Sequence, residues 1–171
     1  DSNVNPDASE ICDGIDNDCD LAIDDADPSV SGVPTWYLDA DVDGFGSGSF
    51  TTEACLQPSG FVADSSDCND IDAAVNPNAS EVCDEIDNNC NGDIDDDDSS
   101  VNLNTGSTFY EDADEDGFGD LSAVVVSCTP PLGYITDASD CDDGDATVNP
   151  SATEICDGLD DNCSGVADDD S

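Results

Sequence analysis

One fifteen-residue segment occurs three times in this chain: NPDASEICDGIDNDC (5–19), NPNASEVCDEIDNNC (76–90) and NPSATEICDGLDDNC (149–163). Such copies stack as small units in a row instead of closing around one central core. Cys12, Cys83 and Cys156 mark the register, 71 and then 73 residues apart. A second unit lies between the copies, as TWYLDADVDGFGSGSF (35–50) and TFYEDADEDGFGDLSA (108–123). The order is therefore A–B–A–B–A. The A units occupy 1–31, 72–104 and 145–171, the first and last of them partial, and the B units 32–71 and 105–144. Without a leader-like or membrane-spanning stretch, the sequence reads as a processed segment or slice of a larger secreted protein.

Charge decides what can hold such units together. The chain has 45 Asp and Glu and no Lys, Arg or His, for a formal charge of −45. No side chain can neutralise a carboxylate, and a phosphate-binding surface is excluded, so nucleic acid is not a partner. At this charge a solvated or disordered acidic tract is the ordinary outcome. The acids here are instead placed residue by residue at a fixed period with glycine at fixed positions, which a solvated face does not need.

The ten cysteines follow the same period. Cys12/Cys19, Cys83/Cys90 and Cys156/Cys163 lie seven apart, and Cys55/Cys68 and Cys128/Cys141 thirteen apart. Pairing within each spacing leaves no cysteine without a partner, so five local disulfides are expected, in an oxidising compartment. Thiolate zinc is the weaker reading, because C-x6-C without His is poor zinc spacing.

The acidic segments match the front half of a calcium loop, D-x-[DN]-x-[DN]-G, in which alternate residues turn oxygen ligands inward and glycine permits the sharp bend. In the A units the ligand candidates at loop positions 1, 3, 5 and 9 are Asp16, Asp18, Asp20 and Asp24; Asp87, Asn89, Asn91 and Asp95; and Asp160, Asn162, Ser164 and Asp168. Glu10, Glu81 and Glu154 stand six residues before each loop and are candidates to close the shell. Leu21 occupies the glycine position of the first loop and Ser164 a ligand position of the third, departures that weaken both sites. The B units fit better. Asp39, Asp41, Asp43 and the Phe45 carbonyl, and Asp112, Asp114, Asp116 and the Phe118 carbonyl, fill positions 1, 3, 5 and 7. Position 12 is Phe50 or Ala123, so the last ligand must come from elsewhere: Asp64 or Asp67 in one copy, Asp137 or Asp140 in the other. A third, less specific class comprises Asp67, Asn69 and Asp72, and Asp140, Asp142 and Asp145. Hard oxygen ligands without His or Met suit Ca²⁺, at about five to seven ions, with Mg²⁺ and Mn²⁺ behind.

The stretch DCDDGDATVNPSATEICDGLDDNCSG (140–165), with its relatives at 67–92 and 1–20, resembles the MopE-type metal-binding repeat of secreted bacterial proteins. The DADxDGFG loops are similar to thrombospondin type 3 calcium repeats. The resemblance implies a secreted or cell-surface repeat, without catalysis of its own. The MopE-type name carries a copper association, against which the absence of His and Met argues.

The expected fold class is a small disulfide-rich, calcium-stabilised tandem repeat, mostly irregular loops with short antiparallel hairpins. Strands are expected at 35–39, 47–55 and 60–64, and again at 108–112, 121–128 and 133–137. A turn or two of helix is expected around 8–12, 79–83 and 152–156. Trp36/Phe109, Tyr37/Tyr110, Phe45/Phe118 and Phe61/Tyr134 recur as small-core residues. With no His, no Lys, no cofactor loop and the cysteines committed, the chain reads as no enzyme. Two functions remain: a calcium-stiffened extracellular stalk, matrix element or filament subunit that associates with itself, and a calcium-dependent adhesin that binds a surface glycan or protein. A plain calcium reservoir is weaker, and direct membrane insertion is not expected.

Overall fold

The computed structural model describes residues 3–169. The chain divides into two compact units, Asp1–Ala79 with Asp87–Gly92, and Ser80–Ile86 with Asp93–Ser171. Each carries one three-stranded antiparallel sheet. In the first, β1 (Thr35–Leu38) lies between β2 (Ser47–Glu53) and β3 (Phe61–Val62). In the second, β4 (Ser107–Glu111) lies between β5 (Asp120–Ser127) and β6 (Tyr134–Ile135). The expected hairpins and their third strands therefore form. The acidic loop joins β1 to β2, or β4 to β5, and the register shifts as it begins, between Tyr37 and Leu38 and between Tyr110 and Glu111.

The expected helical turns at 8–12, 79–83 and 152–156 do not form. The backbone there is engaged otherwise: Ser31 N–H donates to the Glu10 carbonyl at 3.0 Å, and Asn102 N–H to that of Glu81 at 2.8 Å. This turns the glutamate side chains inward. Single 3₁₀ turns appear instead at Asp24–Ala26, Asp95–Asp97 and Leu103–Thr105. Among the described residues the buried apolar side chains are Val75, Phe109 and Val148, while the largest fully buried ones are Glu10, Glu81 and Asp27. The other paired aromatics are half-buried, and Trp36 spends its indole N–H on the Ala54 carbonyl at 2.8 Å. What lies inside is chiefly carboxylate.

The disulfides correct the expected local pairing. Cys12 pairs with Cys55 and Cys83 with Cys128, linking the first cysteine of an A unit forward to the next B unit. Cys68 pairs with Cys90 and Cys141 with Cys163, linking the second cysteine of an A unit back to the preceding B unit. Cys19 and Cys156 are exposed and unbonded. The physical reason is the backbone of the A loop. Cys19, Cys90 and Cys163 all sit at loop position 4 with φ of 66°, 57° and 52°. That left-handed residue points outward while positions 3 and 5 point inward, so its sulfur faces away from the cysteine seven residues earlier.

The forward bridges are seconded by one aspartate each. Asp25 accepts from the Cys55 amide at 2.8 Å. Its counterpart Asp96 accepts from the amides of Cys128 and Thr129 and the hydroxyls of Ser127 and Thr129, all within 2.7–2.8 Å. Partial burial pushes the Asp96 carboxyl up, but these donors together outweigh it and hold it down at about 2. A carboxyl lowered on folding stabilises above its ordinary pKa near 3.8 and loses that contribution as pH falls through about 2. Asp96 is exposed, so solvent screening leaves only part of this shift as stability. Asp96→Asn lowers Tm at pH 7 by about 4 °C or less, for a loss of about 1 kcal/mol or less at this size, and thermal melts converge with those of the parent below pH 2.

Candidate metal centres

All five acidic loops share one bend over positions 4 to 6. Position 4 is left-handed in each (Cys19, Val42, Cys90, Glu115, Cys163), and so is position 6 (Leu21, Gly44, Gly92, Gly117, Gly165). These two bends aim the amides of positions 5 and 6 at the aspartate of position 1. Asp16 accepts from Asp20 and Leu21 at 3.1 and 3.0 Å, and Asp39 from Asp43 and Gly44 at 3.2 Å each. Asp87, Asp112 and Asp160 repeat the pair with Asn91 and Gly92, Asp116 and Gly117, and Ser164 and Gly165. Position 5 in turn accepts the amide of position 7, as Asp43 does from Phe45 at 2.8 Å and Asp116 from Phe118 at 2.9 Å. The hydrogen bonds fix the carboxylates; they do not use them up.

In the B units the fourth carboxylate is Asp67, or Asp140. Each is carried back to its loop by backbone pairing: Asp67 N–H donates to Gly46 O at 3.3 Å, and Asp140 N–H to Gly119 O at 3.1 Å. The approach is possible only past glycine. A Cβ on Gly119 would lie 2.7 Å from Asp137 O, and one on Gly46 2.9 Å from Asp64 O, both backbone atoms. Of the alternatives left open by the sequence, Asp64 and Asp137 face Ser66 and Ser139 instead, accepting their amides and hydroxyls.

The resulting nests are buried and unbalanced. Asp39 and Asp67 are 8% and 9% exposed, and Asp140 9%. Both oxygens of Asp41, Oδ2 of Asp43 and Oδ2 of Asp67 are buried without a hydrogen-bond partner, as are Oδ2 of Asp114, Asp116 and Asp140. Burial pushes the Asp67 carboxyl up, and Asp43, Asp70 and Asp39 add to it against the Asn69 amide. Burial likewise raises Asp140, with Asp116 and Asp143 adding, and raises Asp41 and Asp114 beside their loop neighbours. Asp70 and Asp143, which the spacing did not single out, accept the amides of Ala40 and Ala113 at 3.0 and 2.8 Å and so cap the same loops. The third class of candidates divides. Asp67 and Asp140 go to the hairpin, and the amides of Asn69 and Asp142 donate to them. Asp72 and Asp145 accept from Ala74 and Thr147, closing the turns that follow.

In the A units the glutamate is the floor of the loop. Glu10, fully buried, accepts the amides of Asn17 at 2.7 Å and Asp24 at 3.0 Å. Glu154 does the same for Asn162 and Asp168, and Glu81 for Asp95. Position 9 has a task the spacing did not suggest. Asp24 accepts the amides of Asp13 and Gly14, Asp95 those of Asp84 and Glu85, and Asp168 that of Gly158, stitching each loop to its preceding turn. The ligand candidate that sequence reasoning missed is Asp27. It is 2% exposed, its Oδ2 has no partner, and it gathers with Glu10 and Asp18 within 4.8 Å. Burial, with Asp20, Asp27 and Glu10 adding, raises the Asp18 carboxyl. The signal was present: Asp27 and Asp98 are position 12 of their loops, where a calcium loop places its closing carboxylate. The third counterpart, Ser171, lies outside the described residues.

Asp16, Asp18 and Asp20, and Asp39, Asp41 and Asp43, form further clusters of the same tightness. Oxygen-only nests of this kind, with buried orphaned lone pairs and no internal cation, fit a hard multivalent ion. Where sulfur lies near, as Cys68 and Cys90 beside Asp67, the cysteines are bonded to each other and offer no thiolate.

Repeated acidic loops on a disulfide frame define a metal-binding repeat protein. Residues 1–25, 67–96 and 140–169 match the Cu-binding MopE family model, "Putative metal-binding motif", and through these three copies the chain belongs to that repeat family. No curated protein and no solved structure matches the chain. The matched segments take in the A loops together with Asp67 and Asp140, and leave residues 39–43 and 112–116 outside.

Two substitutions test the geometry. Leu21 holds φ of 83° with its side chain 93% exposed, so it strains the loop and packs on little. Leu21→Gly removes a left-handed penalty of about 1–2 kcal/mol, offset by a backbone entropy cost of about 0.5–1 kcal/mol. A rise in Tm of a few degrees or less is the expected result of thermal denaturation. Asp67→Asn has an effect that changes sign. A raised carboxyl stabilises below its ordinary pKa and loses this as pH rises through the folded value. In chelator at pH 7 the variant therefore melts higher than the parent, near pH 3 the gain disappears, and in saturating calcium at pH 7 it melts lower.

Proposed function

We propose that the chain is an extracellular calcium-binding structural protein, a stalk, matrix element or filament subunit, whose units are rigidified by one Ca²⁺ per acidic loop and by the disulfides between units. One observation carries this reading. Among the described residues, eight carboxylate oxygens are buried with no hydrogen-bond partner, and they lie in the loops or on the residues that close them. A multivalent cation resolves that imbalance without any change in backbone. Calcium is favoured over smaller ions because the ligands are carboxylates and carbonyls on irregular loops, a set that tolerates the larger coordination number. Copper is disfavoured by the absence of His and Met and by the bonding of the nearby sulfurs.

Several further features support a passive role outside the cell. The four disulfides suit an oxidising compartment, and no helix of the described residues is long and apolar enough to cross a membrane. The acidic side chains of the loops serve as loop ligands and turn acceptors, which leaves no general acid or base committed to a reaction. Self-association is the partner reading that suits a repeat array.

Titration calorimetry with Ca²⁺, Mg²⁺, Mn²⁺ and Cu²⁺, followed by melts in calcium and in EGTA, tests the proposal. The expected outcome is calcium binding near the millimolar to submillimolar range of extracellular modules and a large loss of Tm in EGTA, since each site at a hundred times Kd contributes about 2.7 kcal/mol. Equal melts in calcium and EGTA sink the reading. Calcium binding with glycan or protein capture but no self-association moves it to a calcium-dependent adhesin.

A further inference from the structure

The backward disulfides end on the metal nests. Asp67, the buried carboxylate that closes the first hairpin nest, is followed directly by Cys68, and Cys90, its partner, stands between Asn89 and Asn91 at position 4 of the next A loop. Asp67, Cys68 and Cys90 place their ligand atoms within 4.8 Å of one another, and the Cys68 amide lies 3.2 Å from Cys90 Sγ. The second copy repeats every element: Asp140, Cys141 and Cys163 cluster within 4.8 Å, and the Cys141 amide lies 3.2 Å from Cys163 Sγ. Cys163 in turn stands between Asn162 and Ser164. Apart from this disulfide, the closing aspartate is tied to its hairpin by one isolated parallel bridge, Ser47 with Asp67 or Asp120 with Asp140, in which its amide donates to Gly46 or Gly119 at 3.3 or 3.1 Å. Oδ2 of each is buried and without a partner.

We propose that Cys68–Cys90 and Cys141–Cys163 are redox locks on the two hairpin metal nests. The ion is held tightly only while they are closed, and a bound ion in turn holds them closed against thiol reductants. This rests on the metal-binding reading above. The chemistry is ordinary thiol–disulfide exchange. A dithiol such as dithiothreitol delivers two electrons and two protons, the S–S bond breaks to give two thiols, and the reductant leaves as its cyclic disulfide. Once the bond is open, mutual repulsion among the four carboxylates of the nest acts on a closing residue that one isolated backbone bridge still ties to its hairpin. Linkage makes the effect reciprocal: whatever factor reduction takes from metal affinity, the metal returns as resistance to reduction.

The test uses the full chain, with calcium as the probe. Titration calorimetry compares the oxidised parent with Cys68→Ser/Cys90→Ser and Cys141→Ser/Cys163→Ser, and with Cys12→Ser/Cys55→Ser, which opens a forward bridge. Each backward variant is expected to weaken one hairpin site by roughly tenfold, within the usual range of coupling between sites, and the forward variant to leave both hairpin sites near the parent value. Because a variant can fail to fold, the reciprocal arm uses the unmodified protein. The protein is equilibrated in buffers of reduced and oxidised dithiothreitol with calcium or with EGTA, thiols are trapped by alkylation, and peptide masses report the reduced fraction of each bridge. Calcium is expected to lower the equilibrium ratio of dithiol to disulfide at the two backward bridges by a similar factor. A ratio that calcium does not change, in a protein shown by calorimetry to bind it, overturns the lock alone. An oxidised parent that binds no calcium overturns the metal reading, and the lock with it.

Discussion

A carboxylate taken out of water needs a positive partner, and this chain has none to offer. Glu10, Glu81 and Asp27 are its most deeply buried large side chains, and the few apolar residues inside do not amount to a core. The interior is organised around negative charge. Backbone amides supply part of the answer, since each loop bends left-handed at positions 4 and 6 and turns two N–H groups onto its first aspartate. Amides are partial charges, however, and oxygens at positions 3 and 5 of the B loops stay unsatisfied. Everything else in the structure surrounds that deficit: the hairpins deliver the loops, glycine lets the closing aspartate approach, and the disulfides hold the segments that carry it.

The loops and hairpins were legible because both are local. Asp at alternate positions followed by Gly specifies a backbone bend by steric and hydrogen-bonding rules that act over six residues. Alternating β-branched and aromatic runs beside them specify the strands. Asp67 and Asp140 were harder, because the return of a chain to its own loop depends on the third strand and on the space left by Gly46 and Gly119. Spacing alone could not separate them from Asp64 and Asp137, which are also aspartates and lie three residues away. Asp27 is legible as position 12 of its loop, but spacing alone does not rank it against Glu10, the other carboxylate able to close the same loop.

The disulfides show where spacing misleads. Cysteines seven residues apart can close a short loop, and the even count favours it. The orientation of a side chain is set by φ, though, and at position 4 the left-handed bend turns the sulfur outward, to the preceding unit. The helical turns failed for a related reason. ASEIC has the composition of a helix start, but its glutamate accepts two loop amides, and that fixes the backbone as extended.

The alternation of forward and backward bridges also sets how the chain bears load. Pulled from its ends, a crosslinked chain carries tension along the shortest covalent path. Here that path runs through Cys12–Cys55, along 55–68, across Cys68–Cys90, back from 90 to 83, across Cys83–Cys128 and along 128–141 to Cys141–Cys163. The acidic hairpin loops at 39–46 and 112–119 lie off it, in backbone that stays slack. A tug on the chain is thus shunted past these two loops, while the aspartates that close them, Asp67 and Asp140, ride on the loaded segments 55–68 and 128–141.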